Sequence, residues 1–192
     1  MAKNILVISG SPVKNGNTTT LVKWFSEGAQ SKGAHVQVVP VAYLKYKATG
    51  CTSCRACQRS EKYECVINDD AKPVLAKMAH ADVIVMATPL YFYGPSAQLK
   101  LVLDRMFSLF KWDNKAGTMK TPLKKKKLVL IGSAYENIGL DTLEKPFALM
   151  AAYSEMKFVS FLVPNAGESG DIKENSVLRK RAVAFGKKIA GG

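Results

Sequence analysis

The sequence predicts an α/β protein, a doubly wound parallel sheet of five strands in three layers, on three observations. Short apolar runs recur at residues 5–8, 36–41, 83–87, 128–131 and 158–163. Helical stripes fill the gaps between them. A stretch of small polar residues, SGSPVKNGNTTT, separates the first run from the first stripe. Runs of this length suit strands buried on one or both faces, and strands alternating with helices place a helical layer on each face of a parallel sheet. Ligands of such sheets sit outside the carboxyl ends of the strands.

The first strand ends in a loop, and a helix opens at Asn17 with Leu21, Val22 and Phe25 turned inward. Helix N-terminal amides lack intrahelical partners, and the helix dipole places partial positive charge there. Ser9, Ser11, Asn17, Thr18 and Thr19 add short donors, while Gly10 and Gly16 permit close approach of a ligand. The junction predicts a phosphate site, with an ordinary strand-to-helix turn capped by Asn as the plainer reading. Five residues separate Gly10 from Gly16, and Asn17 rather than Lys follows, so this is not the nucleotide triphosphate loop; Gly-x-Gly-x-x-Gly is also absent.

After the second strand, residues 43–70 are too polar and cysteine-rich for a plain connection, and long loops in compact domains are usually functional. Cys51, Cys54, Cys57 and Cys65 form C-x2-C-x2-C-x7-C. Three thiols at that spacing and a fourth beyond them can wrap an iron–sulfur cubane. Redox-active thiols are the next reading. Zinc is less natural, because three of its ligands would have to come from seven consecutive residues. Arg55, Arg59 and Lys62 would offset the charge of a thiolate-bound cluster.

The third strand leads into TPLYFYGPSAQLK, whose apolar and aromatic residues at a strand's carboxyl end suit a planar heterocycle. An aromatic plug in the core is the rival reading. Leu99, Val102, Leu103, Met106 and Phe110 then follow a helical stripe, and Leu101, Phe107 and Leu109 make that helix apolar on a second side. Burial in a homo-oligomer is expected, with a deep core position as the alternative. Asp104 and Arg105 predict an intrahelical or interface salt link. Lys124 to Lys127 read as a solvated approach to the fourth strand, and GSAYENIG follows it. Asp171 and Glu174 match a capping box ahead of a last helix carrying Leu178, Ala182, Phe185 and Ile189. His35 and His80 read as surface or capping residues rather than catalytic ones.

The 192 residues, 47% hydrophobic, suit one domain spanning 1–192 with an insertion at about 43–70. No run is long enough for a membrane helix, and MAKNILVI does not read as a signal peptide, so a soluble cytoplasmic protein without a membrane partner is expected. A formal charge of +13 favours anionic partners. No recognised nucleic-acid module is visible, which turns the expectation from nucleic acid towards an acidic protein or a phosphorylated cofactor.

Three segments, GSPVKNGNTTTLV, CTSCRACQRSEKYECVINDD and ADVIVMATPLYFYGPSAQLKLVLDR, together resemble the flavodoxin-like NAD(P)H-dependent FMN reductases. The cysteine pattern resembles the iron–sulfur flavoprotein branch, in which a [4Fe-4S] cluster lies close to FMN. The resemblance implies sheet order 2-1-3-4-5 and an FMN phosphate on the Ser9, Ser11, Asn17, Thr18 and Thr19 loop. It sets the flavin ring beside Pro89, Leu90, Tyr91 and Phe92, with Ser133 and Ala134 completing the pocket, and the four cysteines on a cluster beside that ring. No catalytic side chain is assigned, because the cofactor itself accepts the hydride. The implied reaction moves electrons from NAD(P)H or an acidic ferredoxin to a small acceptor such as a quinone or free flavin, in a homodimer or homotetramer. A non-enzymatic FMN-binding electron carrier or redox-sensing module is the alternative.

Overall fold

The computed structural model describes residues 2–113 and 115–192. In chain order the elements are β1 (Asn4–Ser9), α1 (Asn17–Gln30), β2 (His35–Pro40), α2 (Ala71–His80), β3 (Val83–Tyr91), β4 (Gly94–Pro95), α3 (Ala97–Leu103), β5 (Lys111–Asp113), β6 (Thr118–Lys120), β7 (Lys127–Ser133), α4 (Leu140–Tyr153), β8 (Lys157–Val163) and α5 (Ser176–Gly191). The main sheet runs β2-β1-β3-β7-β8, with every neighbouring pair parallel. This is the expected order 2-1-3-4-5 once the short strands are set aside. β4 folds back on the end of β3, and β5 and β6 form a separate hairpin.

Alternation along the central strands divides the core in two. Val7, Val85 and Ile131 point to one face, where Leu21, Phe25 and Ala182 of α1 and α5 cover them. Ile8, Ile84 and Leu130 point to the other, beneath α2, α3 and α4. Burying both faces explains why these runs are continuously apolar. The edge strands β2 and β8 are only partly buried. On the α1 and α5 side the helices touch backbone to backbone: a Cβ on Gly28 would collide with the Val183 carbonyl, and one on Gly186 with that of Phe25.

Three local expectations change. The helix predicted over 99–110 is α-helical only to Leu103, then tightens into a 3-10 helix over Asp104–Leu109. That tightening turns Leu109 fully inward, and Phe107 stacks on Trp112 at 4.8 Å between ring centroids, so these two members of the second apolar side find partners within the chain, while Leu101 is half-buried. The pair at 104–105 is likewise split. Asp104 bonds Lys100, one turn earlier, while Arg105 turns inward to Asp69. The capping box is displaced as well. Asp171 opens a separate 3-10 turn and accepts the Glu168 N–H at 2.8 Å, and the cap of α5 is Asn175, which accepts the Leu178 N–H at 2.9 Å. α5 begins at Ser176, too far along for Asp171 to reach its first turn.

Candidate cofactor-binding site

α1 opens without a side-chain cap. Gly16 holds the capping position in extended backbone, and the first turn carries no acidic residue. The first-turn amides therefore face the carboxyl edge of the sheet with no intrahelical acceptor. Asn17, the first helical residue, has another task. Its Nδ2 donates to the carbonyls of Ala166 and Glu168, both at 2.9 Å, and its Oδ1 accepts the Gly170 N–H at 2.9 Å. One amide side chain thus holds the loop after β8 against the mouth of α1. Thr18 and Ser133 hydroxyls lie 2.8 Å apart, tying α1 to the end of β7. Ser11 Oγ folds onto Val13, donating to its carbonyl and accepting its N–H.

Gly10 serves packing rather than ligand approach. A Cβ there would lie 2.5 Å from Leu99 Cβ, and Ser96 Oγ donates to the Gly10 carbonyl at 2.7 Å while accepting the Leu99 N–H as the cap of α3. The glycine lets α3 seat against the loop.

A cavity of about 300 Å³ opens at this edge. Ser11, Asn17 and Thr18 line it from the first loop, Pro89, Leu90 and Tyr91 from the end of β3, and Ser133 and Ala134 from the end of β7. Three expected residues stand outside it. Ser9 is buried as the last residue of β1, and the Thr19 hydroxyl donates to the Val13 carbonyl at 2.9 Å. Phe92 is fully exposed and lines an adjoining hollow of about 310 Å³ with Leu90, Tyr93, Tyr135 and Ile138. Phe92 and Tyr93 both hold left-handed backbone, φ 47° and 65°, between Tyr91 and Gly94. A two-residue hairpin turn of this twist normally takes Asn or Gly, so aromatic residues here are strained, as residues presented at binding sites often are. Sequence reasoning missed Tyr135 and the loop at 166–169, which also line the main cavity. The signal for the loop was NAGESG at the carboxyl end of the fifth strand, and Tyr135 stood in GSAYENIG at the end of the fourth, the edge where ligands bind.

A larger hollow, about 500 Å³, lies at the opposite edge beside Asn4, His35 and His80. It meets the amino ends of the strands, where a parallel sheet presents no helix N-terminus, so topology favours the smaller cavity.

The four cysteines are free and line one small hollow of about 20 Å³, Cys57 and Cys65 buried, Cys51 and Cys54 exposed. Among the described residues, no three His, Cys, Asp or Glu side chains stand together at metal-holding geometry. Their loop also carries left-handed Ser53 and Arg55, φ 56° and 53°. The Ala56 N–H and then the Thr52 hydroxyl lower the pKa of Cys54 from its ordinary value. Beneath the hollow lies Arg105, 1% exposed, donating to Asp69 Oδ2 at 2.8 Å and to the Ile67 carbonyl at 3.1 Å. Burial works against its charge, but the hydrogen bond to Asp69, with the Cys65 thiol close by, outweighs that and raises its pKa. The same bond and the Lys47 N–H hold Asp69 below the usual carboxylate range despite its burial. Burial also pushes the nearby Tyr46 hydroxyl up to about 12. The cysteine hollow and the edge cavity share no lining residue. α3 runs from Ser96, which holds the Gly10 loop, to the 3-10 turn whose Arg105 reaches the cysteine hollow.

Comparison with known proteins follows this geometry. The family model described as NADPH-dependent FMN reductase matches residues 3–167. An iron–sulfur flavoprotein of Methanocaldococcus jannaschii is 37% identical over 116 residues, 59% of this chain and 58% of that protein. Another from Methanosarcina thermophila is 35% identical over 114 residues, 57% of this chain and 58% of that protein. The chain thus spans a little over half the length of these relatives. The solved NAD(P)H:quinone oxidoreductase from Methanothermobacter marburgensis superposes with TM-score 0.76 over 98% of each chain at 14% identity, a likeness of fold. With the family model covering most of its length, the chain belongs to the NADPH-dependent FMN reductase family, a family of flavin-dependent oxidoreductases.

Proposed function

We propose that the chain binds FMN at the carboxyl edge of its sheet and passes electrons from NAD(P)H, or from an acidic ferredoxin, to a small acceptor such as a quinone or free flavin. The observation that carries this reading is the uncapped mouth of α1 opening into a cavity that continues to an aromatic turn. Bound FMN supplies hydride acceptance and release of electrons in pairs or singly. The residues present fit it. First-turn amides of α1 receive the phosphate, with the Ser11 hydroxyl beside them, and Asn17 keeps the 166–170 loop closed over the site. Pro89, Leu90 and Tyr91 offer backbone and an apolar edge to the ring, and the adjoining hollow leaves one side open for nicotinamide or acceptor. Exposed Phe92, Tyr93, Tyr135 and Ile138 around that opening support a homodimer or homotetramer.

The four cysteines fit a [4Fe-4S] cluster by donor chemistry: four free thiols on one hollow, above a buried cation. Holding it requires the exposed Cys51 and Cys54 to close towards Cys57 and Cys65. The iron–sulfur flavoprotein relatives favour this over zinc or free thiols. An FMN-binding electron carrier without turnover is the second reading, favoured by the exposed cations Lys45, Lys47, Arg55, Arg59 and Lys62, which suit an acidic protein donor. The test is anaerobic purification followed by a visible spectrum, iron and acid-labile sulfide assays, and NADH and NADPH oxidation. Steady oxidation with quinone present supports the enzyme, and flavin reduced by ferredoxin alone supports the carrier. Cys57→Ser is expected to lose iron and keep FMN. Iron-free wild type after anaerobic reconstitution would remove the cluster and leave the flavin reading standing.

A further inference from the structure

We propose that Arg105 and Ser108 donate hydrogen bonds to the sulfur atoms of a cluster held by Cys51, Cys54, Cys57 and Cys65, and so set its reduction potential. The inference rests on the cluster reading above and deepens it.

Among the described residues, two buried side-chain polar atoms have no hydrogen-bond partner, Arg105 Nε and Ser108 Oγ. Both residues line the cysteine hollow. Buried polar groups are ordinarily paired, and an orphan calls for a reason. Here both orphans can donate, both lie on the same 3-10 turn, and both face the same four thiols. The turn itself is the departure from a regular helix that brings them inward.

The remainder of the guanidinium is fixed. Nη1 bonds Asp69 Oδ2 and Nη2 bonds the Ile67 carbonyl, while Asp69 in turn accepts the N–H groups of Lys47 and Ala71. Two of the three nitrogens are thereby spent on the protein. The third is left for the hollow. Asp69 offsets most of the net charge of Arg105, so the directed Nε–H matters more than a bare cation. Other groups reach Cys57 itself: Lys111 Nζ donates to its carbonyl, and Gln58 Nε2 lies 3.6 Å from its Sγ.

Thiolate and sulfide sulfur accept hydrogen bonds, and hydrogen bonding to sulfur is one of the determinants of cluster potential. One-electron reduction, by dithionite or by flavin reduced with NAD(P)H, adds negative charge to an already anionic assembly. Two preset donors stabilise the reduced form more than the oxidised one. The potential is raised.

The experiment compares wild type, Ser108→Ala and Arg105→Lys after anaerobic reconstitution. Iron and acid-labile sulfide are assayed first, and each protein is then titrated with dithionite while the reduced cluster is followed by electron paramagnetic resonance. Equal iron content with a midpoint shifted to more negative potential in both variants is expected. Should Arg105→Lys fail to fold, Ser108→Ala decides alone, since it removes one hydroxyl and no other bond. A variant with full iron, a lowered melting temperature and an unshifted midpoint would mean that the residues are only structural, overturning the inference while the cluster stands. Wild type without iron and sulfide would overturn both.

Discussion

At the mouth of α1, the Asn17 side chain joins two loops 149 residues apart in sequence. Sequence reading marked Asn17 as a phosphate donor or a cap; the residue was legible and its partner was not, because nothing local records the loop after β8. Asn17→Asp retains the shape but sets a carboxylate against the carbonyls of Ala166 and Glu168 and beside the phosphate position. FMN affinity is expected to fall about tenfold to a hundredfold by fluorescence titration. Arg105 shows the same limit. A DR pair reads as an intrahelical or interface salt link, which Asp104 makes with Lys100, until a change of helix type turns Arg105 inward to Asp69 on the cysteine insertion. Because the folded pKa of Asp69 is lowered, its ion pair contributes stability that is complete above the unfolded carboxylate value of about 3.9 and is lost as pH falls through the lower folded value. Urea titrations of wild type and Asp69→Asn should therefore differ fully at neutral pH, and the difference should shrink only below about pH 4.

Among the elements, the five main strands were legible because burial on both faces leaves unbroken apolar runs. α1 and α5 were legible from their stripes. α2 and α4 were not. Each contains a proline, Pro73 and Pro146, which ordinarily argues against a helix interior. Pro73 stands in a first turn, where its missing N–H is no loss. The contact of α1 with α5 was also hidden, since a lone glycine in a helix reads as a weakness until its neighbour is known. Gly186→Ala is expected to destabilise the protein by about 1–3 kcal/mol by forcing the helices apart, despite the better helix propensity of Ala. Chemical denaturation checks it, and a neutral or stabilising result would show that the helices have room to separate.

The whole molecule carries two hollows with no lining residue in common, one of phosphate-and-ring character at the sheet edge, the other lined by thiols. Topology made the first readable, because strand ends and helix mouths coincide there. The second was readable as a spacing, while its position against the 3-10 turn of Asp104–Leu109 depended on how the insertion folds. The formal charge of +13, with exposed Lys and Arg around the cysteine loop, predicts that reduction by an acidic ferredoxin slows about tenfold or more as salt rises from ~0.05 to ~0.5 M. Stopped-flow rates that ignore salt would point away from a charged protein donor.

The phosphate site is the feature on which the flavin reading turns, and one comparison addresses it without altering the protein. FMN and riboflavin share a ring and differ by the phosphate. Titrating the flavin-free protein with each, by quenching of flavin fluorescence, should give FMN an affinity about a hundredfold or more above riboflavin, the effect of charge-assisted bonds at a helix N-terminus. Equal affinities for the two would contradict a phosphate bound at the mouth of α1.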